Sequence, residues 1–419
     1  VVATEETVGI LQAEETMQKA IRATVSACVL ALAALGLGSY PALAQEEIVI
    51  GNSTSYSGPT SVYPNLAKTA NALFNKVNDE GGIAGRKIRF ISYDDNYSPP
   101  KAVEMARKLV EQDKVLFMYY STGTALNAAT QRYFNDREVP AIFMSTGSSK
   151  YGATPDRYPW TIGWQPTSYQ EGMIFGQAIM KTNPDARIAV IYQNDELGKD
   201  GLTGLQEAMG DKYQQMVVAT ASYEASDPTV ETQVVSLKGS GADSLIVFAT
   251  PKFGAQAIRR SAELGWKPQL YLNSSTTSIA NVLTPAGIEN ATGALSVQFL
   301  VDPADPQWQN HAEMSKAIED YLAFMKKYNP DADPYDFLNV ISYTQTQSLL
   351  AVLHACNGDF SRQNILDKAT SLEDVWVPLL LPGVTLRTSK TDYFPLESGY
   401  LGEFDGKTWA VGGEVFTAR

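Results

Sequence analysis

The chain has 419 residues, a formal net charge of −13, two cysteines and two histidines. The acidic balance argues against nucleic acid or an anionic membrane as partner, because phosphate binding needs clustered Lys and Arg. Two histidines are too few for a zinc site or for most acid–base machinery, and a chain of this length points to two lobes rather than one core.

Residues 1–16, VVATEETVGILQAEET, are acid-rich and fit no basic leader, so Met17 is the expected start. Residues 17–44 read MQKAIRATVSACVLALAALGLGSYPALA, with Lys19 and Arg22 before the apolar run Val25–Leu37 and Ala42-Leu43-Ala44 at its end. A basic start, a short apolar run and a small-x-small close form an export signal. The run is shorter than the ~20 residues that span a bilayer. Cleavage is expected after Ala44, giving a mature chain that begins at Gln45 in the periplasm; a buried N-terminal helix is the alternative. The remainder stays strongly acidic, as exported soluble proteins often are. Cys28 lies in the signal, ahead of most of the apolar run rather than after it, which does not suit a lipoprotein.

From there short apolar runs alternate with amphipathic stretches, the signature of a parallel sheet covered by helices. Strands are expected at 48–50, 88–93, 115–119 and 141–144, with helices over 64–77, 101–111 and 125–134 between them. After a stretch containing Pro155, Pro159 and Pro166, a second set places strands at 188–192, 216–219, 244–249 and 269–272. Its helices fall at 201–209, 229–238 and 254–264. Two long helical patterns, 311–328 and 335–356, precede a glycine-bearing β-rich tail.

Nucleophilic chemistry finds little support. Cys356, the one cysteine outside the signal, sits in the helical, mostly apolar AVLHAC beside His354 and reads as a packed core thiol; without a second cysteine there it forms no disulfide. Gly239-Ser240-Gly241 precedes a strand instead of opening a helix after one, so it is not a phosphate loop. The chain also lacks a G-x-S-x-G elbow and a metal-ligand cluster.

IVIGNSTSYSGPTSVYP followed by NKVNDEGGIAGRKIRFISYDDNYSPPKAVEMARKLVEQDKV, with PAIFMSTGSS, YQNDELGKDG and SYTQTQSLLAVLHA, resembles the solute-binding proteins of branched-chain-amino-acid-type ABC transporters. The resemblance runs from about 47 to 415, and Gly81-Gly82-Ile83…Gly85-Arg86 followed by Tyr93-Asp94-Asp95 is its most specific part. It implies an α/β fold of two Rossmann-like lobes joined by three hinge crossovers. Residues 46–163 and 294–376 would form lobe 1, and 164–293 with 377–419 lobe 2. It further implies a ligand captured in the cleft, hinge closure on binding, delivery to a membrane permease, and a monomer that is not an enzyme and carries no cofactor or metal.

Ligands of open α/β sheets gather outside the carboxyl ends of strands. Two hydroxyl-rich loops occupy such ends, Ser121–Thr124 and Ser145–Ser149, each with a Gly that lets the backbone approach a ligand. Free N–H groups at a helix start, together with hydroxyls, hold a carboxylate without Arg. The resemblance assigns that role to Thr122, Gly123, Thr124, Ser145, Ser148 and Ser149; plain helix capping is the alternative. Relatives that bind α-amino acids place an acid after the strand matching 269–272, to neutralise the ammonium. Here that place reads Asn273-Ser274-Ser275-Thr276, although Glu171, Asp195 or Glu196 could substitute. The remaining expected lining is aromatic or apolar: Tyr63, Tyr120, Trp164, Gln165, Leu197 and Phe248, with Ser274. Stacking aromatics and phenol hydroxyls suit an aromatic or hydrophobic carboxylate such as a benzoate, a phenylpropenoate or a keto acid. A branched-chain amino acid is the alternative cargo, and an extracytoplasmic hydrolase or a sensor ectodomain the alternative class.

Overall fold

A computed structural model describes residues 16–20, 47–58 and 62–418. The chain divides into two units, Val1–Glu46 and Glu47–Arg419. In the first, residues 16–20 form a helical turn; the apolar run and the expected cleavage point lie outside the described residues.

The second unit holds two sheets. The first contains β1 (Ile48–Thr54), β2 (Ile88–Asp94), β3 (Phe117–Tyr119), β4 (Ala141–Met144) and β5 (Thr161–Gly163), all parallel, in the order β2-β1-β3-β4-β5. The second contains β6 (Ile188–Gln193), β7 (Val217–Tyr223), β8 (Ser244–Phe248), β9 (Gln269–Leu272) and β10 (Leu295–Gln298) in parallel, extended by antiparallel β11 (Ser398–Phe404), β12 (Trp409–Ala410) and β13 (Val415–Thr417). Strands of this kind are buried on both faces and read as continuous apolar runs, as β6 (IAVIYQ) and β8 (SLIVF) do. The expected lobe division had placed 294 onward with the first lobe, yet β10 pairs with β9 and belongs to the second sheet.

Ten helices of eight or more residues cover these sheets among the described residues: α1 (Pro64–Asp79), α2 (Pro99–Arg107), α3 (Thr124–Asp136), α4 (Ser168–Thr182), α5 (Glu196–Met209), α6 (Glu231–Gly239), α7 (Pro251–Glu263), α8 (Ala312–Tyr328), α9 (Phe337–Ala355) and α10 (Arg362–Ala369). α2 begins with two prolines, whose fixed φ suits a first turn, and runs into a π-turn at Lys108–Gln112. α9 returns late in the sequence to the first lobe. There Ser342 Oγ donates to the Leu66 carbonyl (2.6 Å) and Thr69 Oγ1 to Asn339 (2.7 Å). Cys356, just past its end, is buried, and its Sγ donates to the Val352 carbonyl. Burial pushes its thiol up to about 11, so it is packed rather than reactive.

The chain crosses between sheets after Gly163, after Gln298 and before Ser398. Two of these crossings run side by side: the Val301 N–H donates to the Leu379 carbonyl (2.9 Å) and Leu381 N–H to that of Phe299 (3.0 Å). Trp164 on the third stacks edge-on to Phe299, with centroids 6.0 Å apart. The three crossovers therefore form one adjacent hinge.

In the second lobe α4 packs on α5 through small residues. A Cβ on Gly204 would sit 1.9 Å from the Tyr169 carbonyl oxygen, and one on Gly172 2.3 Å from that of Gly201. The close approach fixes α5, whose first turn enters the space between the lobes.

Candidate functional site

A cleft of about 530 Å³, counting the part open to solvent, lies where carboxyl ends of strands from both sheets face each other. From the first lobe it is lined by Tyr63 and Leu66 around the start of α1, Tyr97 before α2, Tyr120–Thr124 after β3 (Ser121 apart), Ser145–Gly147 after β4, and Gln165 beyond β5. Leu197 at the start of α5, Thr250 after β8 and Ser274-Ser275 after β9 form the second-lobe wall, and Phe337, Leu338 and Ile341 of α9 close one side.

Both hydroxyl loops are built into the sheet. Thr122 bridges to Ser145 in parallel register, the Gly123 N–H donates to the Ser145 carbonyl (3.0 Å), and Ser145 N–H to that of Ser121 (3.0 Å). Gly123 is the N-cap of α3 at φ 112°; a Cβ there would also meet Leu126 at 2.6 Å and Tyr97 at 2.9 Å. Glycine is required on both grounds. It supplies no side-chain cap, so first-turn N–H groups of α3 are left for another acceptor. The Thr124 hydroxyl oxygen accepts from the Gly147 N–H (3.1 Å) and from Thr146 Oγ1 (3.3 Å). With both lone pairs engaged, its own proton remains to be donated. Ser145 Oγ donates to Gln165 Oε1 (3.2 Å).

Backbone strain concentrates beside these loops. Tyr120 has φ 58° and Phe143 φ 52°, left-handed conformations that cost of order 1–3 kcal/mol in non-glycine residues. Phe143 lies where β4 shifts register against β5, and its carbonyl is held by the Gln345 amide of α9. The strain aims the ends of β3 and β4 at the cleft.

Among the described residues, the cleft's lining contains no Lys, Arg, Asp or Glu. Two phenol hydroxyls, of Tyr97 and Tyr120, are buried and make no well-formed hydrogen bond, Gln193 and Ser342 being their polar neighbours, and burial pushes both phenols far above their ordinary range. Tyr97 stands 6.5 Å from the Tyr63 ring, and Tyr120 5.4 Å from Tyr119.

The three acids considered as counter-charges are all engaged by protein donors. Asp195 caps α5 through the Leu197 N–H (2.9 Å) and accepts from Gln193 (2.6 Å). Glu196 pairs with Lys150 and accepts from Ser148 Oγ (3.1 Å). Glu171, fully buried behind the second-lobe wall, accepts the Ser274 N–H at 2.7 Å, and burial raises its carboxyl to about 7.

Of the side chains expected at the site, the structure gathers Tyr63, Tyr120, Thr122, Gly123, Thr124, Ser145, Gln165, Leu197 and Ser274 around the cleft. It places four elsewhere. Trp164 is wholly buried in the hinge, donating Nε1–H to Ser348 (3.0 Å). Phe248 lies under Gly201 and packs on Phe175. Ser148 and Ser149 face α5 of the other lobe, where Ser149 N–H donates to Asp200 (2.7 Å). On the opposite rim Asp336 accepts from Ser278 (2.8 Å) and Asn281 (2.7 Å). The lobes are thus latched together on both sides of the cleft. Sequence reasoning missed Tyr97, Thr250 and the Phe337–Ile341 face, although Tyr97 lay in the quoted YDDNYSPP segment.

The family model described as "periplasmic binding protein" matches residues 47–407, nearly the whole second unit. The chain belongs to the periplasmic binding protein family. Leu/Ile/Val-binding protein homolog 1 of Brucella abortus is 25% identical over 318 residues, covering 75% of this chain and 80% of that protein. Among solved structures, a substrate-binding periplasmic protein from Ralstonia solanacearum superposes with a TM-score of 0.76 at 22% identity, over 87% of this chain and 100% of its own. A solute-binding protein of an ABC transporter from Rhodopseudomonas palustris BisB5, solved with 3,4-dihydroxybenzoic acid, gives 0.73 at 18% identity over 89% and 98%. This periplasmic binding protein accordingly has the two-lobed fold of its neighbours.

Proposed function

We propose that the chain captures a small aromatic or hydrophobic carboxylate without a free amino group, closes its lobes on it, and delivers it as a monomer to the membrane permease of an importer, with no turnover. Export would follow cleavage after Ala44, and the working lobes would be 47–163 with 299–376, and 164–298 with 377–419.

One observation carries the ligand class: the cleft has many hydroxyls, an uncapped helix start and apolar walls, but no charged side chain among its described lining residues. Peptide N–H groups and hydroxyls suit a carboxylate. An α-ammonium in the same space would lack a partner and be costly to bury. The two weakly bonded phenols of Tyr97 and Tyr120 suit a ring hydroxyl or carbonyl on the cargo. The neighbour holding 3,4-dihydroxybenzoic acid has a cargo of this class.

A branched-chain amino acid is the second reading, favoured by the Brucella relative's name and by Glu171 standing directly behind Ser274. A thermal-shift screen of benzoates, phenylpropenoates and keto acids beside the twenty amino acids separates the two. Ligand at ~100 times its dissociation constant adds about 2.7 kcal/mol of stability. Shifts with leucine-like amino acids alone would refute the first reading and support the second.

A further inference from the structure

A second hollow, about 330 Å³ counting the part open to solvent, shares Phe337 with the cleft. Along α9, Leu338 and Ile341 face the cleft while Val340 faces the rear cavity; after β9, Ser274 and Ser275 face the cleft while Thr277 and Ile279 face the rear. The same two segments therefore wall both spaces, and Phe337 is common to the two. Its only ring neighbour among the described residues is Phe299, edge-on at 6.5 Å. The preceding residue, Asp336, is tied across the lobes by Ser278 and Asn281, which pins Phe337 where the lobes meet.

The rear cavity is mostly apolar but carries two polar features. Gln298 lines it and is 5% exposed, with its Nε2 buried and without a hydrogen-bond partner. A buried amide N–H left unpaired is costly, so an acceptor arriving there is favoured. Asp302 also lines it, its two oxygens accepting from the N–H groups of Ala304 (2.9 Å) and Trp409 (3.1 Å). A second carboxylate would be repelled beside Asp302. A hydroxyl, which both accepts and donates, suits the pair.

We propose that the rear cavity receives the distal end of the cleft's own cargo: the ligand is an elongated carboxylate whose apolar body passes Phe337 and ends in a hydroxyl beside Gln298. This rests on the carboxylate reading above. The cleft then fixes the head group by its hydroxyl loops, and Phe337 sets how much chain can follow.

The test is calorimetric titration of the mature chain with two homologous series, plain n-alkanoates and ω-hydroxyalkanoates of four to twelve carbons. Affinity should rise about fourfold per methylene, the ~0.8 kcal/mol of a buried CH₂, and continue into the longer acids. At the lengths that reach the rear cavity the ω-hydroxy acid should bind about tenfold tighter than its plain counterpart, because it supplies the acceptor that Gln298 lacks. Gln298→Leu should bring that ratio to near one, and Phe337→Ala should shift the preferred length upward. Short acids that bind wild type with no gain from lengthening and no ω-hydroxyl preference would overturn the rear-cavity assignment while leaving the carboxylate reading intact. If no acid of any length binds, the carboxylate reading fails and this assignment falls with it.

Discussion

Thr124→Val is the most direct test of how the cleft holds its ligand. The Thr124 oxygen accepts two bonds, from Gly147 N–H and Thr146 Oγ1, so in the bound state its proton is the part available to a carboxylate. Valine matches the shape but removes the hydroxyl, and two separate losses follow. The buried Gly147 N–H loses its acceptor, which should lower unfolding stability by about 1–3 kcal/mol. The charge-assisted bond to the ligand, worth about 1.5–3 kcal/mol, also disappears, and with 1.4 kcal/mol per decade the dissociation constant should rise about 10- to 100-fold. Thr124→Ser keeps the hydroxyl and should stay within about threefold of wild type, since it loses only a methyl contact. Urea denaturation of the ligand-free protein reads the first loss; calorimetric titration with the best acid from the screen reads the second. Stability reduced in Thr124→Val but affinity unchanged would make the hydroxyl a loop tether only and refute carboxylate capture at this loop.

Three further outcomes follow from the same geometry. Glu171 has its carboxyl raised by burial from 4.5 to about 7; between those values the folded chain keeps a proton that the unfolded chain has released. Stability is therefore highest below the lower value and is lost as pH rises through the upper one, by about 3 kcal/mol. Glu171→Gln keeps an acceptor for Ser274 and should remove that part of the decline, read by urea melts at pH 5 and 8; an unaltered slope would place the titration elsewhere. Tyr97→Phe deletes a buried hydroxyl that makes no well-formed protein hydrogen bond, only a long approach to Gln193, so the ligand-free protein should lose at most about 1 kcal/mol, while affinity for a phenolic or carbonyl-bearing acid should fall about 3- to 10-fold; equal affinity would mean that the hydroxyl never meets the cargo. Asp200→Ala removes the acceptor of the Ser149 N–H across the rim and should speed ligand release about tenfold, measured by stopped-flow, with a larger radius of gyration for the ligand-free protein by X-ray scattering; unchanged release would show that the rim contact does not hold the lobes.

Much of the fold was legible because parallel strands are short apolar runs and their helices carry a stripe. α1, for example, repeats Leu66, Ala70, Leu73 and Phe74 at helical spacing. α4 escaped because its signal is different: Gly172 and Gly176 face α5 instead of large apolar residues, and its start is marked by the reciprocal Thr167–Gln170 capping box. β10, four residues long, gives too little alternation to read. At the site, glycine and hydroxyls at strand ends located the loops of the first lobe. Side-chain direction was not legible, since successive residues near a strand end point to opposite faces. Trp164 and Phe248 turn into the core, while Tyr97 and Tyr120 turn into the cleft. The α9 contribution required knowing that a helix more than 200 residues beyond β3 returns to the first lobe, which pairing reveals and local pattern does not.

The placement of charge links closure to selectivity. Each acid near the cleft is committed to a donor of the protein: Glu196 and Asp200 to Ser148–Lys150 on one rim, Asp336 to Ser278 and Asn281 on the other, Asp195 and Glu171 to backbone N–H groups. The rims hold the lobes together through contacts of one fixed strength, whatever lies inside. The difference between cargoes must then come from the interior, where the donors are first-turn N–H groups and hydroxyls. A ligand shifts a two-state equilibrium only by its differential affinity for the two states. An anionic head group gains from donors that converge when the lobes meet, whereas a cation finds no carboxylate among the described residues that line the cleft. A free ammonium would have to reach past the Ser274 backbone to Glu171, whose carboxyl burial holds largely protonated up to about 7, before it gained a counter-charge.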